Sequence, residues 1–166
     1  MERHLTVSGF VVHEGKVGLH WHRKIGLWLP AGGHIEAGED PVQAVLREIE
    51  EEFAVKAEVM PLTPRAAYEG GPIQIEPPHA MIDCWAVDHW HVDLVYYCRL
   101  LSGYPGRSYE PESPILWLDT QALAHGSIEL NTEPVALPPD VQAFGLEAIR
   151  RAAEYAAAAI TTKAAS

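Results

Sequence analysis

Glu51 and Glu52 lie three and four residues beyond Glu48 in the segment 32–55, GGHIEAGEDPVQAVLREIEEEFAV. On a helix that spacing makes their side chains neighbours on one surface. Like charges so placed repel by roughly 0.2–0.5 kcal/mol per pair, and Arg47 offsets only part of that. Clustered carboxylates supply the hard oxygens that Mg²⁺, or Mn²⁺, prefers. Glutamate runs also occur on solvated helical faces, so the run alone decides nothing. The pair Gly32-Gly33 ahead of it does, because backbone without side chains lets phosphate or metal approach closely. Loop and run together predict a site for metal-bound diphosphate.

The helix that must carry these groups can be bounded from sequence. Asp40 suits the N-cap, Pro41 the first helical position and Gln43 the reciprocal half of a capping box. Val42, Val45, Leu46, Ile49 and Phe53 recur at helical spacing and commit one face to a core.

The remainder of the chain sets bounds on partners. With 166 residues, 48% hydrophobic and 21% charged, it is expected to be one soluble domain over residues 1–160 with a frayed tail at 161–166. A net charge of −11 argues against nucleic acid or an anionic membrane as partner, and no apolar run approaches a membrane span. An acidic protein that handles phosphate needs divalent cations or a few local basic residues. Cys84 and Cys98 have no metal spacing and are expected to be buried free thiols; with no signal peptide at the start, the cytoplasm is the expected compartment.

Strands are expected at Leu5 to Val12 and Val17 to His22, joined as a hairpin, then at Lys56 to Leu62, Ala80 to Val87, His91 to Leu100 and Ile115 to Leu118. Gly126 to Leu137 is expected to be irregular, and Pro138-Pro139-Asp140 to cap a last helix with Val141, Phe144, Ile149, Ala152 and Tyr155 inward. Arg23 and Lys24 sit in a turn just before the glycine loop, where they serve either as contacts to substrate phosphates or as ordinary solvated residues. Trp28 is assigned to the core. Strand alternation points His89, His91 and Asp93 one way, making His91 and Asp93 the pair that would touch substrate together. With His79 they could also form a transition-metal site, although scattered histidines without tight ligand spacing are more often ordinary hydrogen-bonded residues.

The run Gly33, Glu39, Arg47-Glu48-Ile49, Glu51-Glu52, Ala54-Val55 resembles the Nudix box, G-x5-E-x7-R-E-U-x-E-E-x-G-U with U aliphatic. Every charged position is present at the right spacing. Ala54 stands where the family has glycine, at a helix exit whose left-handed conformation costs alanine roughly 1 kcal/mol. The resemblance implies an α/β fold, the Nudix α/β/α sandwich with a mixed sheet. It implies hydrolysis of a small-molecule diphosphate by water attack on phosphorus, with Mg²⁺ or Mn²⁺ held by Glu48, Glu51, Glu52 and the Gly33 carbonyl. Arg47 would orient a neighbouring carboxylate and Glu39 would support the loop. The general base is Glu48 or a later loop acid, Glu112 ahead of Glu110. Related domains often pair, which leaves a homodimer open. Two other readings stay on the same fold: a nucleotide sensor that does not cleave, and an isopentenyl-diphosphate isomerase-like enzyme.

Overall fold

The computed structural model describes residues 2–62, 70–86, 88–103 and 114–164. Glu110 and Glu112 lie outside these. The described chain forms a mixed eight-stranded sheet, a separate two-stranded hairpin and three helices. Strand β1 (Arg3–His13) turns through Glu14 and Gly15 into β2 (Lys16–His22), as the sequence predicts. Both turn residues have positive φ, 49° and 73°, which suits the twist of a two-residue hairpin. Short β3 (Leu27–Leu29) and β4 (Ala31–His34) follow. Helix α1 (Pro41–Phe53) leads to β5 (Val55–Val59), β6 (Ala80–Ala86), β7 (His89–Gly103) and β8 (Ile115–Leu118). The order through the sheet is β3-β2-β1-β7-β5, with β4 on β1, β6 on β7 and β8 on β2.

The one parallel pairing among these, β1 with β7, runs from Arg3 opposite Trp90 to Val12 opposite Arg99. It forms the centre of the sheet, and the alternation of both strands divides the core in two. Val7, Val11, Leu94, Tyr96 and Cys98 pack under α1, against Val45, Ile49 and Phe53. Phe10, Val12, Val95 and Tyr97 pack on the other face beneath α3 (Pro139–Ala164), with Trp28 in this second core. The expected α/β/α sandwich follows from those two apolar faces. Gly9 fixes how near α1 lies: a Cβ there would come within 2.8 Å of Ile49 Cδ1.

Three local expectations change. Residues 126–137 form a hairpin, β9 (Ser127–Leu130) with β10 (Glu133–Ala136), after the short helix α2 (Thr120–His125). Its turn is Asn131-Thr132, with φ of 51° and 72°, and lacks the glycine that marks such turns in sequence. Pro134 argues against a strand, but in a two-stranded ribbon it needs no second partner. Strand β7 also begins earlier than expected, because Trp85 pairs with Trp90 and their rings pack at 5.3 Å, carrying the ladder out to His89. Of the thiols, only Cys98 is fully buried; Cys84 is half-buried, and both are free. No helix among the described residues is long and apolar enough to cross a membrane.

Candidate active site

Helix α1 starts as its sequence dictates. Asp40 accepts from the Val42 and Gln43 amides at 2.8 and 2.9 Å, and Gln43 takes the Asp40 amide at 2.9 Å, closing the capping box. It ends at Ala54 in the left-handed region, φ 54° and ψ 32°, with the Ala54 amide donating to the Glu50 carbonyl. The chain therefore retains the helix exit that favours glycine and carries the strain of alanine there.

The buried face of α1 rests on the sheet, so Glu48 and Glu52 reach β4, where the glycine pair expected in a loop is strand paired with β1, and Glu51 reaches Arg47. Arg47 is the hub of this surface. Its Nε and Nη2 grip Glu39 as a fork, at 2.7 and 3.0 Å. Nη1 donates to Glu48 at 2.8 Å and to Glu51 at 3.3 Å, and Nη2 also reaches the His34 carbonyl at 3.1 Å. The fork holds the Glu39 carboxyl below its usual range, and the paired carboxylates raise the already high guanidinium value further. Glu39 in turn accepts the Glu36 amide at 3.1 Å, so the guanidinium pins the loop as well as the acids.

Two further contacts tie helix to loop. The Gly32 amide donates to Glu52 Oε2 at 2.9 Å. His20, a buried residue on β2, places Nε2 at 3.5 Å from the same oxygen. Gly33 is where the close approach is tightest: a Cβ would stand 2.2 Å from Glu48 Oε1, so only glycine admits this carboxylate against the loop backbone. Glu48 against the Gly33 backbone, Glu52 on the Gly32 amide and Glu51 on Arg47 present hard carboxylate oxygens, the donor chemistry that a divalent cation such as Mg²⁺ prefers.

The structure thus brings Gly33, Glu39, Arg47, Glu48, Glu51 and Glu52 together. Arg23 and Lys24 are exposed on the β2–β3 turn. Asp93 lies buried beneath Thr6, which donates to it at 2.8 Å, and Ser8 also bonds it; burial pushes its carboxyl above the usual range. His91 does share a face with Asp93, but its near neighbours are His4, His34 and His89. His79 belongs elsewhere: its Nδ1 accepts the Tyr97 amide at 3.2 Å, and its ring lies 4.5 Å from that of Tyr97. Burial lowers its basicity. Sequence reasoning missed His20, for which an alternating strand gives no signal, and the company that His4 and His34 keep.

A model of the NUDIX domain matches residues 2–133, and the chain belongs to the Nudix hydrolase family, whose members are generally pyrophosphohydrolases that use divalent metals. Among solved structures, a NUDIX-family hydrolase from Clostridium perfringens is 26% identical, with a TM-score of 0.73 over 90% of this chain and 98% of that one. A MutT NUDIX hydrolase from Burkholderia pseudomallei is 19% identical, with a TM-score of 0.59 over 91% and 98% of the two chains. A UDP-X diphosphatase is 18% identical, with a TM-score of 0.52 over 95% of this chain and 64% of that one. The last two likenesses are of fold alone. No curated protein matches the chain.

Proposed function

We propose that the protein is a Mg²⁺-dependent diphosphatase, with Mn²⁺ as the alternative ion, acting on a nucleoside diphosphate linked to another group. What supports this most is the Glu48 carboxylate seated against the Gly33 backbone, where any side chain would displace it. Glu48, Glu51, Glu52 and the Gly33 carbonyl would hold the ion. When bound, it supplies charge neutralisation at the non-bridging phosphate oxygens and a lowered pKa for coordinated water.

The protein's own share of the work is positioning. Arg47 fixes Glu48 and Glu51 by charge-assisted hydrogen bonds, and Glu39 fixes Arg47. The Gly32 amide and His20 fix Glu52. The proton of the attacking water passes to Glu48 or to Glu112. Arg23 and Lys24, exposed on their turn, would meet the outer phosphate of the substrate. The products are a nucleoside monophosphate and the phosphorylated second group.

The test is phosphate and phosphoester release by the purified protein with Mg²⁺ and then Mn²⁺. Nucleoside triphosphates (oxidised ones included), nucleoside diphosphates, nucleotide sugars, ADP-ribose and dinucleoside polyphosphates form the panel. One class turned over well above the others, and only with metal, supports the proposal. Nucleotide binding without turnover by folded, metal-loaded protein would replace it with a sensor.

A further inference from the structure

A second cluster of ion-binding character lies beside the box, built from imidazoles. Parallel pairing sets His4 on β1 opposite His91 on β7. Antiparallel pairing sets His34, at the end of β4, opposite Thr6, two residues along β1 from His4. His89 opens β7 two residues before His91. The two-residue period of strands therefore turns all four rings to one side. One ring nitrogen from each lies within 4.8 Å of the others. His4 Nδ1 is 3.3 Å from His34 Nε2, and His89 Nε2 is 2.7 Å from His91 Nε2. An ion held tetrahedrally with bonds of about 2.0–2.1 Å needs donors about 3.3–3.4 Å apart; the His4–His34 pair stands at that spacing, and the His89–His91 pair, in hydrogen-bond contact, has to open by about 0.6 Å to admit the ion.

The outer nitrogens are occupied in a way that aims the inner ones. His89 Nδ1 is 2.6 Å from Asp88 Oδ1, and His4 Nε2 is 3.3 Å from Glu2 Oε1. A carboxylate on the far side of a ring fixes its tautomer and orientation and raises the basicity of the other nitrogen, the arrangement that accompanies metal-bound histidine. His34 is exposed, so an ion has access from solvent.

We propose that His4, His34, His89 and His91 bind one transition-metal ion of the Zn²⁺ type, at a site distinct from the carboxylate site on α1. Imidazole nitrogens select such ions, whereas carboxylates and carbonyls select Mg²⁺ or Mn²⁺. Glu2 and Asp88 are positioning residues for two of the ligands. The ion ties the start of β1, the end of β4 and the β6–β7 hairpin together. It also bears on the box, because His34 follows Gly33 and its carbonyl receives Arg47.

Co²⁺ is the probe, added to chelator-treated protein without a histidine tag and followed by its visible ligand-field bands, with Zn²⁺ as competitor. Wild-type and Glu52→Gln proteins are both expected to show the intense bands of one tetrahedral nitrogen-bound Co²⁺ per chain, distinct from the weak bands of Co²⁺ on the carboxylates, and bleached by one equivalent of Zn²⁺. The pair His4→Gln and His89→Gln should weaken uptake by at least ~100-fold, and Asp88→Asn by ~10-fold, the smaller loss typical of a supporting carboxylate. Asp88→Asn leaves all four rings in place, so it carries the test even if the double variant is misfolded by circular dichroism. Absence of the bands in wild type, or uptake equal in wild type and Asp88→Asn, overturns the proposal. So does Co²⁺ uptake lost in Glu52→Gln but kept in the histidine variants. Binding of inorganic phosphate at the cluster without Co²⁺ would replace it with an anion site.

Discussion

The two clusters that meet at Gly33 and His34 solve opposite problems. On α1 the acids are like charges that repel, and they are held by one guanidinium that touches Glu39, Glu48, Glu51 and the His34 carbonyl. In the histidine cluster the groups are imidazoles brought within 4.8 Å of one another, and the carboxylates stand outside, behind two of the rings. The first is a helix surface whose spacing is local; the second exists only through the register of three strands. The difference teaches that charge is managed from within the carboxylate site and from behind in the imidazole site. Hard and soft ions would then be sorted by donor chemistry a few residues apart.

Removing charge from the helix site should break the comparison most. Glu52→Gln keeps an oxygen for the Gly32 amide while deleting one negative charge, and turnover should fall by about 10³-fold, several kcal/mol of lost stabilisation. Circular dichroism should be unchanged. Gly33→Ala tests the close approach: its Cβ would lie 2.2 Å from Glu48 Oε1. Displacing that carboxylate by about an ångström should cost turnover roughly 10²-fold, measured at saturating Mg²⁺. Arg47→Lys keeps the charge but not the fork on Glu39, and should lower turnover by ~10-fold with a smaller loss of stability.

Acid sharpens the picture at Glu39, whose carboxyl is held below its ordinary value of 4.5 by the Arg47 hydrogen bond. A carboxylate depressed in the folded state contributes stability that is present in full well above its unfolded value. That contribution is lost as pH falls through the folded value. The stability difference between wild type and Glu39→Gln should therefore be constant around neutrality and close in acid, as urea midpoints across that range would reveal.

The smallest effect is expected at the helix exit. Ala54 sits at φ 54°, so Ala54→Gly should raise stability by about 1 kcal/mol and leave turnover within about twofold. A loss of stability would mean that the methyl group has packing that offsets the strain.

The box was legible in sequence because its parts share one helix and the loop that feeds it. Asp40, Pro41 and Gln43 announced the start, and the apolar spacing of Val45, Ile49 and Phe53 turned the acids outward. Less legible was the reach of Arg47, expected at one carboxylate and found also on the loop, since a side chain's partners across a loop depend on tertiary geometry. The direction of His89, His91 and Asp93 followed from alternation. His4 and His34 did not, because nothing local tells that β1 lies parallel to β7 with His4 opposite His91. Proximity in sequence groups His79 with them, and the fold carries it to Tyr97 instead. The β9–β10 hairpin was hidden by a turn without glycine and by Pro134.

The most direct test of the central claim is Mg²⁺-dependent cleavage of a diphosphate substrate by wild-type and Glu52→Gln proteins, side by side and both folded. If the carboxylates of α1 hold the ion that drives hydrolysis, wild type turns over only with Mg²⁺ or Mn²⁺ and Glu52→Gln falls by orders of magnitude. Equal turnover in the two proteins, or turnover indifferent to metal, would contradict it.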